Sequence, residues 1–417
     1  MNYTQQELNQ AIKTCIDFKY AKKTIQQKKL SPRIDEVLSR LQNDENTAYK
    51  HKYPYILIFK TTSNCNLRCK HCFFAESPET YKMDNDLSET ELFEILQYFV
   101  EKINITNVSL TGGEFFSAPY AMRFLEYLKS KNILVDILTN GTKITADIAK
   151  KLGQILNPDM DSLQISLEGP KDVNDFIRGA GVFDKAISSI QMLVEQKLNV
   201  CVAITVNSFN ALKIAELYEI CRKAKIKRLN IGGMIVCSES QQYLQAKRED
   251  VIIGIARAIE AHKNNPDIEI KMKALRVFDF LEYDYGRAYI EKIIPTYDSY
   301  ISSDISDLDI HCQKRGQQVV LFPTGNISMC YECDTGDMII GNIKEQSFEE
   351  MWEKRYTKSI FGKRILQNTC QKCKYNVLCK AGCLISALRK YGTIDAPPAE
   401  CKYAERMIKD RVWSIGG

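Results

Sequence analysis

Six predicted strands alternate with amphipathic helix patterns between residues 53 and 240, and few fold classes accommodate this order. Each strand is a short run rich in β-branched or aromatic residues, and the segments between the strands have helical periodicity. The strands occupy residues 55–61, 107–111, 133–139, 162–169, 200–207 and 228–233. Such alternation is typical of βα units that form a parallel sheet. Because a closed TIM barrel has eight units, we predict an α/β fold with an open, partial (βα)6 TIM-like barrel.

The segments on either side of the barrel pattern differ from it. Two helices are predicted before it, one from Gln5 to Lys29 and a shorter one that begins after Ser31. A longer helix from Arg248 to Lys263 follows the barrel and precedes a stretch rich in Asp, Tyr and Ser. We therefore predict a short helical N-terminal segment, the barrel, a helical bridge or linker, a small Cys-rich domain and a C-terminal tail, at residues 1–52, 53–240, 241–310, 311–405 and 406–417.

The chain has 15 Cys among 417 residues, and their interpretation depends on the compartment. The first residues, MNYTQQELNQAIK, lack the apolar core of a signal peptide, and the longest apolar runs are too short to span a membrane. We therefore predict a cytoplasmic protein with no membrane partner, in which thiols stay reduced and metal or cluster ligation is favoured over disulfides. The net charge is +5 without a basic stripe that carries interleaved aromatics, so nucleic acid is not a predicted partner.

Three cysteines follow the first predicted strand within the sequence NCNLRCKHC, residues 64–72. Cys65, Cys69 and Cys72 share one face if the segment is helical, but thiolates at the mouth of a barrel are better explained as ligands of a soft metal. Structural zinc sites are usually closed by four ligands, whereas three ligands leave one position open for a substrate or cofactor. On this chemistry alone, zinc and an iron–sulfur cluster are comparable interpretations.

The spacing C-x3-C-x2-C after the first strand of a six-unit α/β chain resembles the radical S-adenosylmethionine (SAM) enzymes. The resemblance implies that Cys65, Cys69 and Cys72 hold a 4Fe–4S cluster whose fourth iron binds the amino and carboxylate groups of SAM. It also implies that His71, which precedes the third cysteine, contacts the adenine of SAM, although an aromatic residue is more usual at that position.

Further SAM-binding residues are predicted at the carboxyl ends of other strands. The second strand ends in TGGE, whose glycines allow a close backbone approach and match the family motif that binds the methionine amine. The fourth strand ends in SLEG, at the place that the family uses for the ribose and the methionine carboxylate. An arginine in NDFIRG is suited to a carboxylate, with an exposed surface arginine as the alternative. The predicted residues are Gly112, Gly113, Glu114, Ser166, Glu168, Arg178 and, at the end of strand five, Asn207.

The C-terminal cysteines resemble the SPASM domain over about residues 311–405. In that family the domain holds two auxiliary 4Fe–4S clusters. The resemblance assigns to the first cluster Cys312, Cys330 and Cys383. It assigns to the second cluster Cys370, Cys373, Cys379 and Cys401. We add Cys333 as fourth ligand of the first cluster, because iron–sulfur clusters normally take four thiolates. A pair of zinc ribbons is the alternative for this region.

The resemblance implies an enzyme that cleaves SAM to a 5′-deoxyadenosyl radical and abstracts hydrogen from its substrate. We predict SAM and three 4Fe–4S clusters as cofactors, a flavodoxin- or ferredoxin-type reductant, and a ribosomally made peptide that receives an intramolecular thioether or C–C crosslink. The 52 residues before the barrel are too short for a typical built-in peptide-recognition domain, so a separate recognition protein is a further predicted partner. Tyr331 stands where sulfatase-maturing relatives have an Asp base, which argues against a sulfatase substrate.

Two other functions remain open at this stage. The enzyme could instead catalyse a redox-neutral epimerisation of a peptide or dehydrogenate a small substrate, and an epimerase would need a thiol donor such as Cys237. A protein that only transfers electrons through iron–sulfur clusters is the non-enzymatic alternative. The GGE and SLEG motifs disfavour it, because an electron carrier needs no site for an amino-acid cofactor.

Overall fold

The structure is a computed structural model that describes residues 3–20, 53–72, 86–234, 239–298, 318–331, 336–355, 370, 373–379, 382–394 and 396–410. The predicted helix after Ser31 lies outside the described residues, as do Cys237, Cys312 and Cys333. The first predicted helix is described from Gln5 to Tyr20.

The described strands form one sheet, whose spatial order is β10-β9-β8-β1-β2-β3-β4-β5-β6-β7. Their bounds are β1 Ile56–Lys60, β2 Asn107–Thr111, β3 Leu134–Thr139, β4 Ser162–Ser166, β5 Val200–Val206, β6 Arg228–Gly233, β7 Glu269–Met272, β8 Gln318–Leu321, β9 Asn326–Ser328 and β10 Ile339–Asn342.

All neighbouring strands from β8 through β1 to β7 are parallel, whereas β9 and β10 pair antiparallel at one edge. The order of the sheet is linear, with β7 at the other edge, so the barrel is open as predicted. Two parallel strands were not predicted. The strand β7 comes from the predicted bridge, and β8 comes from the predicted Cys-rich segment and pairs directly with β1. The sheet therefore continues from the barrel into the C-terminal part of the chain.

The described α-helices connect and flank these strands. Their bounds are α1 Gln5–Tyr20, α2 Glu89–Glu101, α3 Ala121–Ser130, α4 Ala146–Ile155, α5 Lys171–Arg178, α6 Val182–Glu195, α7 Ile214–Lys223, α8 Arg248–Asn264, α9 Val277–Phe280, α10 Asp284–Asp298, α11 Phe348–Glu353, α12 Asn376–Cys379, α13 Leu384–Tyr391 and α14 Lys402–Lys409. In the described ranges, no helix is both long and apolar enough to cross a membrane.

Local sequence signals set several of these helices. A capping box begins α2: the side chain of Ser88 accepts from the Glu91 amide, and the Glu91 carboxylate accepts from the Ser88 amide. One face of α2 then buries Leu92, Leu96 and Phe99 in the core beneath the sheet. Burial of each such side chain contributes roughly 1.5–3 kcal/mol to folding.

The N-terminal helix α1 is anchored to the outside of the barrel by buried apolar residues and by two tyrosine hydroxyls. Tyr3 donates to Asp250 on α8 at 2.8 Å, and Tyr289 on α10 donates to Asp17 at 2.6 Å. The predicted bridge between the barrel and the Cys-rich segment is thus packed against the start of the chain.

Candidate active site at the strand ends

The loop after β1 carries the three predicted cluster cysteines and is held from two sides. On one side, the amides of Gly113 and Glu114 donate to the carbonyls of Thr62 and Asn64, at 2.7 and 2.8 Å. On the other side, the Lys70 amide donates to a carbonyl at the end of α5, at 2.9 Å. The loop therefore lies between the carboxyl ends of β2 and β4.

The two glycines of the TGGE turn permit this close approach. A Cβ atom on Gly112 would lie 2.5 Å from the Thr62 carbonyl oxygen, and one on Gly113 would lie 2.2 Å from the Asn64 carbonyl oxygen. Gly112 also has a φ of +140°, which L side chains rarely adopt. Backbone atoms cannot yield as a flexible side chain can, so this docking of the cysteine loop requires glycine at both positions.

Glu114 is a buried carboxylate that is held by three donors. Its Oε1 accepts from the Thr139 hydroxyl at 2.5 Å and from the Phe116 amide at 3.1 Å, and its Oε2 accepts from the Asn140 amide at 2.7 Å. Burial raises the pKa of Glu114 in spite of these hydrogen bonds. The carboxylate fixes the end of β3, and the Asn140 side-chain amide in turn lies 4.0 Å from the Cys65 sulfur.

Glu168 is the second buried carboxylate, and it holds two predicted cofactor residues. Arg178 donates to its Oε1 from Nε at 3.0 Å and from Nη2 at 2.5 Å, while the His71 Nε2 lies 3.3 Å from the same oxygen. The Thr205 amide donates to Oε2 at 2.9 Å. Burial raises the pKa of Glu168, but Arg178 and then His71 lower it more strongly, to about 2.

Arg178 is mostly buried, at 10% side-chain exposure, so the alternative of an exposed surface arginine is wrong. Its Nη1 lies 3.9 Å from the Cys69 sulfur, which places the cation directly beside a predicted cluster ligand. Burial raises the pKa of Cys69 to about 11, although Arg178 acts in the opposite direction. Cluster binding requires thiolates, so a cationic neighbour favours the ligating form of this cysteine.

A cavity of about 320 Å³ opens at the centre of these residues. Its wall includes all three loop cysteines, both glycines of the turn, His71, Ser166 and Arg178. Neither buried carboxylate belongs to the wall. Glu114 lies behind Thr139 and Asn140, and Glu168 lies behind His71 and Arg178. Direct contact of either carboxylate with SAM stays a prediction.

The donor set fits the cofactors that the sequence predicts. Three thiols on one loop face a shared cavity with a cation, a hydroxyl and close backbone at its wall. Among the described residues, the buried Nδ1 of the His71 ring has no hydrogen-bond partner, as is expected of a group that binds a ligand. In the described ranges, no three His, Cys, Asp or Glu side chains converge as they would around a single metal ion.

Asn207 behaves differently from the other predicted site residues. It is fully buried, and its side chain donates to the Thr205 carbonyl at 3.0 Å and accepts from the Phe209 amide at 3.0 Å. Both ends of the amide thus stabilise the turn after β5. The assignment of Asn207 to cofactor binding stays a prediction.

Thr139, Asn140 and Lys60 contribute to the site but were not predicted from the sequence. Thr139 ends β3 and Asn140 follows it, so both could have been found by the rule that chemistry lies at strand ends. Tyr331, which was singled out in the sequence, does contribute to the cavity wall. Lys60, the last residue of β1, is fully buried and donates to the Tyr331 carbonyl at 3.0 Å. No local pattern distinguishes Lys60, since it ends an apolar strand.

The four cysteines assigned to the second auxiliary cluster are brought together. Cys370, Cys373, Cys379 and Cys401 line one small cavity between α12, α14 and the preceding chain. Burial raises the pKa of Cys379 and Cys373, and it raises the pKa of Cys401 to about 12. Burial therefore favours neutral thiols, and binding of a cluster would displace their protons.

The first auxiliary site is only partly described. Cys330 follows β9, and its amide donates to the Ser328 hydroxyl at 3.2 Å. Cys383 is the N-cap of α13. The other two predicted ligands, Cys312 and Cys333, lie outside the described residues, so this ligand set stays a prediction.

Two family models match this chain, one over the barrel and one over the Cys-rich C-terminal segment. Residues 59–224 match the model of the radical SAM superfamily, and residues 312–374 match the model of the SPASM iron–sulfur cluster-binding domain. The predicted family resemblance is therefore confirmed for both parts of the chain.

Relatives over most of the chain have low identity. An Fe-coproporphyrin III synthase of Methanosarcina barkeri is 22% identical, with 86% of this chain and 90% of the relative covered. A mycofactocin maturase of Mycobacterium tuberculosis is 23% identical, with coverage of 84% and 83%. The solved structure of Streptococcus suis SuiB bound to precursor peptide SuiA aligns with a TM-score of 0.59 at 18% identity, with coverage of 88% and 79%. This likeness shows the shared fold.

Proposed function

We propose that this chain, which carries a radical SAM domain followed by a SPASM domain, is an enzyme that matures a ribosomally made peptide by an intramolecular crosslink. The observation that carries the proposal is the shared cavity at the strand ends. All three loop cysteines, the glycine turn and Arg178 meet at that cavity, and four more cysteines line a second one. A protein that only transfers electrons would need the cysteines, but it would not need a cavity that could bind a cofactor beside them.

The cofactors supply the radical chemistry, and the chain supplies binding and orientation. When bound at Cys65, Cys69 and Cys72, a reduced 4Fe–4S cluster with SAM is a source of the 5′-deoxyadenosyl radical. Arg178 places a cation beside Cys69, where it suits a carboxylate such as that of the methionine part of SAM. Glu168 fixes the orientation of Arg178, and Glu114 fixes Thr139 and Asn140 at the opposite wall.

A peptide substrate is supported by the names of the relatives. One is a mycofactocin maturase, and the SuiB structure contains the precursor peptide SuiA. A crosslink is a net oxidation, so electrons must leave the substrate, and two auxiliary clusters provide a route. We assign the first to Cys312, Cys330, Cys333 and Cys383 and the second to Cys370, Cys373, Cys379 and Cys401. A cytoplasmic location, a protein reductant and a separate peptide-recognition protein belong to the same proposal.

Cluster content is the first test. Three 4Fe–4S clusters correspond to about twelve iron atoms per chain after anaerobic reconstitution. Iron near four atoms per chain would contradict the auxiliary clusters, and zinc in place of iron would contradict the whole assignment. Replacement of Cys65, Cys69 and Cys72 by Ala should abolish 5′-deoxyadenosine formation and leave the C-terminal clusters in place.

The product distinguishes crosslinking from epimerisation. The probe is a short peptide encoded beside the gene, incubated with the reconstituted enzyme, SAM and dithionite. We expect a product about two mass units lighter than the peptide, because a crosslink removes two hydrogen atoms while the cofactor carries the radical step. Cys237→Ala should turn over at nearly the normal rate. A product of unchanged mass that gains one deuterium in heavy water, with activity lost in Cys237→Ala, would instead establish an epimerase.

A small substrate is the second candidate, and the name of one relative favours it. The Methanosarcina barkeri relative is named as an Fe-coproporphyrin III synthase, so its product is an iron tetrapyrrole. The inner face of this barrel is polar at neighbouring strands: the Ser162 hydroxyl donates to Asp136 at 2.5 Å, and the Asn230 amide donates to Gln164 at 2.8 Å. The apolar faces of a planar porphyrin ring fit such a wall poorly. Titration of a porphyrin and of the peptide against the SAM-bound enzyme separates the two candidates.

A further inference from the structure

Three aromatic side chains are exposed side by side on the surface of the barrel. Phe176, Phe209 and Tyr243 are 45%, 41% and 54% exposed. The rings of Phe176 and Phe209 are 4.6 Å apart between centroids, and those of Phe209 and Tyr243 are 6.2 Å apart. Within the described ranges, no other large apolar side chain is as exposed as these three, which we call the aromatic patch. A contiguous apolar patch on an otherwise polar surface marks an interaction site.

The patch lies at the carboxyl edge of the sheet, directly against the cysteine loop. Its members follow β4, β5 and β6 in turn. The Lys70 ammonium lies 4.9 Å from the ring centre of Phe176. Between the patch and the loop, the Gln241 amide lies 3.3 Å from the carbonyl oxygens of both Lys70 and Cys72. The patch thus contacts the cysteine loop through the Lys70 side chain, and Gln241, two residues before Tyr243, contacts the backbone that carries the predicted cluster ligands.

The patch and the active-site cavity are separate surfaces. None of the three aromatic residues belongs to the wall of the cavity, which is formed by the cysteines, His71 and Arg178. Helix α5 shows the separation directly, because Phe176 is exposed whereas Arg178, two residues later, is buried beside Cys69. A partner bound to the patch would therefore approach the cysteine loop without entering the cavity.

The cysteine loop beside the patch is basic. The loop segment 64–72 contains Arg68 and Lys70, both exposed, and no acidic residue. Among the described residues, neither of these cations forms an ion pair: the Arg68 guanidinium donates to the carbonyls of Cys65 and Leu67. Exposed cations beside an apolar patch are complementary to an apolar surface that carries carboxylates.

We propose that the aromatic patch and the basic loop 64–72 dock an acidic electron-transfer protein of the flavodoxin type. Proteins of this type expose the apolar edge of a flavin within an acidic surface, which matches both features. The inference rests on the proposed function, in which each SAM cleavage consumes one electron. The anionic flavin hydroquinone gives that electron and becomes the neutral semiquinone, and the C5′–S bond of the sulfonium breaks to give methionine and the 5′-deoxyadenosyl radical.

The test compares two sources of electrons in the reconstituted enzyme. One is dithionite, and the other is flavodoxin that is reduced by NADPH and its reductase; 5′-deoxyadenosine is measured with saturating SAM. The variant Phe209→Ser/Tyr243→Ser should raise the KM for flavodoxin by about tenfold or more, as expected for two interface aromatics. The dithionite-driven rate should stay within about twofold, since surface substitutions cost little stability. Tyr285→Ser, on the partly exposed face of α10, is the matched control and should change neither assay.

Salt provides a second readout. Raising the ionic strength should increase the KM for flavodoxin, because exposed charges are screened, and should leave the dithionite-driven rate unchanged. An unchanged KM in the double variant overturns the inference. An equal loss of 5′-deoxyadenosine formation in both assays also overturns it, because the patch would then belong to the radical site. A raised KM for the peptide alone overturns it as well, because the patch would then bind the substrate. Absence of 5′-deoxyadenosine from the unmodified enzyme with dithionite would instead reject the proposed function.

Discussion

Arg178 donates two hydrogen bonds to a single carboxylate oxygen of Glu168, from Nε at 3.0 Å and from Nη2 at 2.5 Å, and the acceptor is fully buried. The third guanidinium nitrogen, Nη1, lies 3.9 Å from the Cys69 sulfur. One buried carboxylate therefore sets the position of the cation that faces the predicted cluster. The relationship gives Glu168 a positioning role that does not require contact with the cofactor.

Glu168→Gln tests whether the carboxylate of Glu168 is needed to hold Arg178 in place. The substitution keeps the shape of the side chain but leaves Arg178 buried without its counter-ion, and breaking a buried pair in this way typically costs about 3–5 kcal/mol. We expect a lower free energy of unfolding in urea and a KM for SAM raised by about tenfold or more. Lys213→Gln, which breaks the exposed pair with Glu216, is the control and should cost under about 1 kcal/mol. Equal effects of the two variants would contradict the positioning role.

The two buried carboxylates should respond to pH in opposite directions. The pKa of Glu168 is lowered to about 2 from 4.5, so its stabilising contribution is complete above about pH 4.5 and is lost as the pH falls towards 2. The pKa of Glu114 is raised by burial, so its contribution is complete below its unfolded pKa and is lost as the pH rises through its folded pKa.

Thermal unfolding of the cluster-free chain between pH 3 and pH 7, about the range over which carboxylates titrate, measures this difference. The stability of the unmodified chain relative to Glu168→Gln should decrease on acidification. Relative to Glu114→Gln it should increase. If the stability difference from the unmodified chain had the same pH dependence for both variants, the environments of Glu114 and Glu168 would not differ as their contacts indicate.

Lys60 should couple the first strand to the C-terminal segment. Its ammonium donates to the Tyr331 carbonyl at 3.0 Å and lies 4.2 and 4.4 Å from the ring centres of Phe322 and Tyr331. Lys60→Met keeps the length but leaves a carbonyl beside Cys330 without this donor, at a cost of about 1–3 kcal/mol. We expect an altered electron paramagnetic resonance signal from the first auxiliary cluster and an unchanged signal from the cluster at Cys65. Altered signals from both clusters would indicate a general loss of folding instead.

The parallel fold could be predicted because its signals are local. Each of the strands β1 to β6 has its own apolar run, and α2 has its capping box. The strand β7 is only four residues, EIKM, with Glu269 and Lys271 exposed, so its pattern is too short to recognise. The strand β8 pairs with β1 across more than two hundred residues, and no local pattern records that contact.

The sequence predicts which strand ends form the site, but it does not predict which side chains reach the cavity wall and which lie behind it. A period of two indicates which side of a strand a residue faces, and Ser166 at the end of β4 lines the cavity. This period does not indicate whether a side chain reaches the cavity wall or lies behind it. Glu168 follows the end of β4, which stops at Ser166, and both predicted carboxylates lie behind residues that form the wall. Thr139 and Asn140 matter because they meet Glu114, which is a tertiary contact.

Gly113→Ala should show that the TGGE turn positions the cysteine loop. The new Cβ would lie 2.2 Å from the Asn64 carbonyl oxygen and 2.5 Å from its carbonyl carbon, so the backbone one residue before Cys65 must move. Gly232→Ala, on β6, is the matched control, because its Cβ meets only the Ile204 carbonyl oxygen at an ordinary 3.5 Å. After reconstitution, Gly113→Ala should lose about four of twelve iron atoms, the content of one 4Fe–4S cluster.

The lost iron should be that of the cluster at Cys65, so the signal that changes on addition of SAM should disappear while the auxiliary signals stay. Gly232→Ala should retain the full iron content and the response to SAM. Full cluster content with normal 5′-deoxyadenosine formation in Gly113→Ala would mean that the loop tolerates the displacement. The close packing of Gly113 on Asn64 would then be a matter of stability alone, and the turn would have to act on SAM through Glu114 and its hydrogen bonds to Thr139 and Asn140.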